Sequence, residues 1–159
     1  MKKAIKPTRW RCLCAYDGTE FNGWQKQPNR KAVQDKIDEA LAEIFGCTIR
    51  TIGAGRTDAG VHATGQVFHF DASWKHPEDS LLQALRARLP VGISPRMVTA
   101  VSDRFHAHIS AQGKRYRYRI CPGWAMPEKD RFVHSMKGRT LNLDRMKEAA
   151  SCFLSLIHI

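Results

Sequence analysis

Two amphipathic stretches, with strand-like segments on either side and between them, restrict the fold of this chain more than any other feature. In the first, Val33, Ile37, Leu41 and Ile44 recur at helical spacing, and Gly46 stands where such a helix stops. The second opens at Pro77, carries Leu81, Leu82, Leu85 and Leu89, and is closed by Pro90. Ahead of the first lies "RWRCLCAYDG", where Trp10, Cys12, Cys14 and Tyr16 alternate with more polar neighbours up to a turn at Asp17-Gly18. "TIRTI" (48–52) and "QVFHF" (66–70) predict two strands between the helices, and "RMVTAV" (96–101) a fourth after them. The order β-α-β-β-α-β is that of a ferredoxin-like (RRM-like) α+β unit: an antiparallel sheet with both helices on one face and the other face free for a ligand.

The pattern then begins again. "KRYRYRIC" predicts a fifth strand, with Tyr116, Tyr118 and Ile120 on one side and Arg115, Arg117 and Arg119 on the other. A helix follows from about residue 143, with Leu143, Met146, Ala150 and Phe153 in register. A strand and a helix make an incomplete second unit. The expected organisation is a flexible N-terminus (1–8), a first ferredoxin-like half (9–105) with a functional loop (53–64), and the start of a second half (106–154). The end, "SLIHI" (155–159), carries no helix-stop signal and leaves two isoleucines on the terminus.

Lys and Arg number 26 against 15 Asp and Glu, a formal charge of +11 at pH 7 over 159 residues. That excess favours a polyanionic partner, most often nucleic acid. The five cysteines form no C-x-x-C pair, which fits reduced thiols in the cytoplasm better than a disulfide framework or a zinc site. His106 and His108 form an H-x-H, but no further ligands stand near them, so a structural role is expected. No apolar run is long enough to span a membrane, and "MKKAIKPTRW" lacks the apolar core of a signal peptide.

The stretch "GAGRTDAGVH" (53–62) lies between two predicted strands in a loop too long for a plain hairpin. Its glycines suggest a phosphate cradle, but the third glycine of a dinucleotide fingerprint is replaced by Asp58 and the segment leads into a strand, not a helix. The chemical alternative is a presented carboxylate: Asp58 has small neighbours, and Arg56 two residues earlier favours its ionised form. An Asx-turn aspartate with Arg56 as a salt-bridge partner is the structural alternative.

The wording of this loop goes further. "GRTDAGVHATGQVFHF", with "YDGTEFNGWQKQ", "VQDKIDEAL" and "FHAHISAQGKRYRYRI" in order, resembles the TruA family of tRNA pseudouridine synthases over about residues 10–154. The resemblance implies two ferredoxin-like halves sharing one sheet, with the active site in the cleft between them; set against that pattern, 155–159 is expected to be foreign to the fold and the chain a C-terminally shortened version, with exposed strand edges that favour aggregation. It implies isomerisation of uridine in the anticodon stem-loop of tRNA, no cofactor, and a homodimer. By the same resemblance Asp58 is the catalytic aspartate, Arg56 pairs with it and helps fill the space of the flipped nucleotide, and Tyr116 packs against the target base. His62 shapes the loop or touches RNA, with a satisfied structural histidine as the alternative. Gln25 lines the cleft, as Trp24 does unless it is packing. Arg115, with Arg117 and Arg119, contacts phosphates or forms a solvated basic face. A non-catalytic RRM-like RNA-binding module is the competing functional class, although no aromatic-rich RNP1 string is present.

Overall fold

The structure, a computed structural model, describes residues 7–156, with side chains up to Cys152. Residues 1–6 of the expected N-terminal tail and 157–159 of the expected foreign tail lie outside the described residues. The chain divides into two compact units that meet between Lys114 and Arg115. Residues 106–114, expected in the second half, belong to the first unit.

In that unit β1 (Thr8–Tyr16), α1 (Val33–Phe45), β2 (Ile52–Gly53), β3 (Ala63–Ala72), α2 (Glu78–Arg88) and β4 (Ile93–Val101) follow the expected β-α-β-β-α-β order. The sheet runs β2-β3-β1-β4, and all three pairings are antiparallel. Thr8, expected in the flexible tail, already pairs with Ala72. Period-two alternation sends Trp10, Cys12, Cys14 and Tyr16 of β1 to one face with Phe68, Phe70 and Val98, where they bury against Val33, Ile37 and Leu41 of α1 and Leu81 and Leu85 of α2. Fully burying one Leu- or Phe-sized side chain contributes about 1.5–3 kcal/mol, so this shared layer holds the unit together.

Local chemistry sets the helix ends. Ala32 at the N-cap has no side-chain acceptor, so Asp35 reaches back alone: its Oδ2 accepts from Ala32 N at 3.1 Å and Gln27 N at 3.3 Å. Gly46 closes α1 in the left-handed region, at φ 66°. Pro77 is the N-cap of α2, just outside the helix.

β2 is shorter than predicted. Thr51, expected inside it, has its carbonyl taken by Gln34 Nε2 (2.9 Å) and donates its hydroxyl to Asp38 Oδ1 (2.6 Å), so α1 captures the carbonyl a ladder would use and ties down the side chain. Side chains of α2 engage part of the outer edge of β4. Glu78 Oε1 accepts from Ala100 N at 2.7 Å, Arg86 Nε donates to Pro95 O at 3.0 Å, and Pro95 has no N–H to offer.

The sheet face opposite the helices is partly covered. Arg9 pairs with Asp71 through Nε and Nη2, both at 2.7 Å, and donates from Nη1 to the carbonyls of Asp103 (2.6 Å) and Phe105 (2.9 Å). These bonds hold residues 103–107 over His69, whose Nδ1 accepts from Ala107 N at 3.1 Å.

In the second unit the predicted fifth strand is largely absent. Only Ile120–Cys121 (β5) is strand, paired in parallel with His134–Ser135 (β6), while Tyr116 and Tyr118 are exposed. Alternation marks a segment able to form a strand, but residues 115–118 have no ladder partner among the described residues, and Arg119 contributes only its carbonyl, which accepts from His134 N at 2.7 Å. A short helix α3 (Pro127–Asp130) and α4 (Leu143–Leu156) complete the unit, and α4 takes in residues 155 and 156 of the expected tail.

Candidate active site

The loop after β2 is held by a second loop, the one that leaves β1. Residues 17–24 run across residues 57–61 backbone against backbone. Trp24 N donates to Thr57 O at 3.0 Å, and Gly60 N donates to Phe21 O at 3.2 Å. Two glycines permit the approach: a Cβ on Gly18 would lie 2.1 Å from Val61 O, and one on Gly23 would lie 2.4 Å from Thr57 O. Gly23 also has φ +81°, which L side chains rarely adopt. The first loop is fastened in turn to α1, because Val33 N donates to Gly23 O (3.1 Å) and Gln34 N to Trp24 O (3.0 Å).

Beneath the two loops stands an aromatic column. Trp24, almost wholly buried, stacks with Tyr16 at 6.0 Å between ring centres and meets Phe68 in a tilted contact at 5.8 Å. Such contacts add about 0.5–1.5 kcal/mol per pair beyond the area they bury. Register shifts in β1 between Leu13 and Tyr16 bend the strand end that carries Tyr16, as bulges beside functional sites do. The Tyr16 hydroxyl then meets Thr57 Oγ1 at 2.8 Å, and burial pushes the phenol pKa up, so it stays protonated and available as a donor.

Upstream, Ala54 N donates to Val67 O (2.7 Å), Gln66 Nε2 to Gly55 O (2.7 Å), and His108 Nδ1 hydrogen-bonds Ala54 O (3.0 Å). The backbone on both sides of residue 58 is thus fixed. The side chains of Arg56 and Asp58 point to solvent and form no ion pair or side-chain hydrogen bond among the described residues. The expected Arg56–Asp58 pair is therefore not formed. A pair between exposed groups gains only about 0–1 kcal/mol, too little to draw the two side chains together against their mobility in water.

A cavity of about 330 Å3 opens at this point, lined by Asn22, Gln25, Gln27, Arg56, Thr57, Asp58 and Ala59. Gln25, Arg56 and Asp58, all singled out from the sequence, thus share one cavity. His62 is not among the lining residues: its Nδ1 accepts from Gly18 N at 3.1 Å and is 3.1 Å from Asp17 Oδ1. Tyr116 and Arg115 belong to the second unit, where both are exposed. Asn22 and Gln27 were not anticipated, although both lie in "YDGTEFNGWQKQ" and Gln27 Nε2 donates to Asn22 O at 2.7 Å. Among the described residues no three His, Cys, Asp or Glu side chains converge on a metal position. His106 instead packs edge-on against His69, with ring centres 4.9 Å apart.

The chemistry available is that of a carboxylate beside a guanidinium at the mouth of an amide-lined cavity. No helix among the described residues is long and apolar enough to cross a membrane. Comparison with known sequences agrees with the motif. The family described as tRNA pseudouridine synthase matches residues 13–108, a stretch that holds β2, the loop and the whole cavity. The chain is 43% identical over 145 residues to tRNA pseudouridine synthase A of Brevibacillus brevis, covering 89% of this chain and 58% of that protein. It is 40% identical over 154 residues to the same enzyme of Geobacillus kaustophilus (94% and 57%), and 50% identical over 115 residues to that of Akkermansia muciniphila (71% and 43%). The chain spans somewhat more than half the length of the first two relatives. With the loop, the cavity and the matched sequence coinciding, the chain belongs to the tRNA pseudouridine synthase family.

Proposed function

We propose that this chain carries the catalytic-aspartate half of an enzyme that isomerises uridine to pseudouridine in the anticodon arm of tRNA. The observation that carries the reading is the unpaired Asp58 carboxylate, held at the cavity by a loop whose backbone is fixed on both sides. The reaction breaks the N1–C1′ bond of uridine, turns the base and forms C5–C1′; the C5 proton is lost and N1 gains one, so atoms balance without redox or phosphoryl transfer. Asp58 is the carboxylate at the reacting centre, and the side-chain amides of Asn22, Gln25 and Gln27 suit the carbonyl and N–H edge of uracil.

The target nucleotide must first leave its stack, at a cost of about a few kcal/mol. By the family resemblance Arg56 fills the vacated space and Tyr116 stacks on the flipped base, which recovers about 1–3 kcal/mol. Arg115 meets the phosphate backbone. The enzyme works in the cytoplasm as a homodimer, as the family resemblance implies. A plain RNA-binding sheet is a poorer account. Trp10, Tyr16, Phe68 and Phe70 all turn to the helix-covered side, so β1 and β3 lack the base-stacking aromatics on the open face that an RRM uses.

Unmodified tRNA given to the wild-type chain and to Asp58→Asn tests this, with pseudouridine and tRNA binding both measured. A second pair joins residues 1–154 to the remaining portion of the Brevibacillus brevis relative, so that the site is assayed at the relatives' length. Conversion by wild type and at least a hundredfold loss in Asp58→Asn, with binding retained, is expected. Equal conversion by the two refutes the role of Asp58, and binding without conversion in every arm favours the RNA-binding module.

A further inference from the structure

Gly55, the residue before Arg56, is bare for a reason other than backbone conformation, because it is not among the glycines with positive φ. A Cβ built on it would stand 2.8 Å from Lys114 Nζ and 2.9 Å from Lys114 Cε. The end of the Lys114 side chain therefore lies across the loop at Gly55, in the space that any other residue would fill. The acceptors closest at hand are already engaged: Gly55 O takes Gln66 Nε2, and Ala54 O takes His108 Nδ1. The Lys114 ammonium makes no hydrogen bond or ion pair among the described residues, and neither does the Arg56 guanidinium one residue further on. Two cations without a partner among the described residues thus stand at adjacent positions of the loop, Lys114 against Gly55 and Arg56 next to it, and Arg56 lines the cavity with Asp58. Arg9, Lys26 and Lys36 each have a carboxylate partner.

We propose that Lys114, seated on Gly55, binds an RNA phosphate at the lip of the Asp58 cavity. An ammonium is a compact point charge that suits a phosphate oxygen without demanding one approach direction. A nucleotide leaves its stack by rotation about its own backbone, so a phosphate gripped beside the cavity gives that rotation a fixed pivot. The bare Gly55 sets the ammonium down against the loop instead of letting it range through solvent. This inference rests on the reading of the chain as acting on tRNA, and it concerns binding, not the chemical step.

The test is the salt dependence of tRNA binding by the chain, with unmodified tRNA transcript as the probe. One lost phosphate contact lowers the slope of log K against log salt by about 0.7–0.9, so the deficit of a variant shrinks about threefold between 50 and 200 mM salt. Lys114→Gln is expected to show this, and Lys114→Arg to restore the wild-type slope. Gly55→Ala leaves the lysine in the chain but pushes its side-chain end off the loop, so it should flatten the slope in part, and the double variant should lose no more than Lys114→Gln alone. Lys36→Gln removes one charge from α1, where Lys36 pairs with Glu39 at 2.9 Å, and should leave the slope unchanged. An unchanged slope in Lys114→Gln or Gly55→Ala, or an equal drop in Lys36→Gln, overturns the proposal. Wild type that fails to bind tRNA at any salt instead overturns the tRNA reading beneath it. Asp58→Asn, which should keep the wild-type slope, separates loss of chemistry from loss of this contact.

Discussion

Substituting Gly23 by alanine probes the feature on which the site depends, the contact between the loop leaving β1 and the loop carrying Asp58. The new Cβ would stand 2.4 Å from Thr57 O, 3.1 Å from Asp58 C and 3.3 Å from Ala59 N. All three are backbone atoms, which cannot swing aside as a side-chain end can. The residue would also hold φ +81°, which costs an L-amino acid about 1–2 kcal/mol. Parting the loops stretches the Trp24 N to Thr57 O and Gly60 N to Phe21 O bonds, each worth about 0.5–1.5 kcal/mol. The expected loss is about 2–5 kcal/mol, a large share of a small domain's stability. Gly46→Ala is the matched control: Gly46 has φ +66° and nothing within 4 Å of its added Cβ, so it bears the backbone cost of about 1–2 kcal/mol alone. Urea unfolding of both variants, followed by tryptophan fluorescence, gives the difference as a shift in midpoint at constant slope. If Gly23→Ala costs no more than Gly46→Ala, the close stacking of the two loops is not what holds Asp58 in place.

Tyr16→Phe should cost about 0.5–1.5 kcal/mol by removing the hydroxyl that meets Thr57 Oγ1. A double-mutant cycle with Thr57→Val should show the two losses to be non-additive; strict additivity refutes the bond. His69 has its pKa lowered from 6.5, by burial first and then by the charges of Arg9 and His106, with Asp71 opposing. The fold therefore prefers the neutral ring: as pH falls through 6.5 the unfolded chain takes up a proton that the folded one refuses, and stability declines until the lowered folded value is reached. His69→Asn, which keeps an acceptor for Ala107 N, should flatten melting temperature between pH 7.5 and 5.5, and an undiminished decline would count against His69 as its source. Cys12 and Cys14 should resist thiol reagents in the native state, since both are wholly buried and burial pushes the Cys14 thiol up to about 12, while exposed Cys47 reacts at once. Mass spectrometry after brief labelling decides this.

The first unit was legible because its signals are local and agree with one another. Alternation in β1, the 3.6-residue spacing of Val33, Ile37 and Leu41, and the stops at Gly46 and Pro90 all describe short stretches of backbone. The fifth strand misled because alternation reports which residues share a face and says nothing of a ladder partner. Thr51 shows the same limit at smaller scale: its β-branched side chain suits a strand, but its carbonyl and hydroxyl are taken by Gln34 and Asp38 from a helix over ten residues away in sequence. Asp58 and Arg56 stood out by their setting in the loop, whereas Gly18 and Gly23 did not, because their purpose is a contact with residues 57–61 roughly forty positions further along. Sequence order hides contacts of that kind. The seat of Lys114 on Gly55 was hidden for the same reason.

The treatment of β4 has a consequence for how the chain comes into being. A protein is made from its N-terminus, so early strands are complete while later ones are still unmade, and nearby copies on one message offer each other matching edges. Here Glu78 occupies one donor of β4, Arg86 occupies one acceptor, and Pro95 removes a second donor, all with residues of the first unit itself. An incoming strand would find the edge interrupted where it needs consecutive partners. The first unit can therefore wait, folded and single, for whatever is synthesised after it.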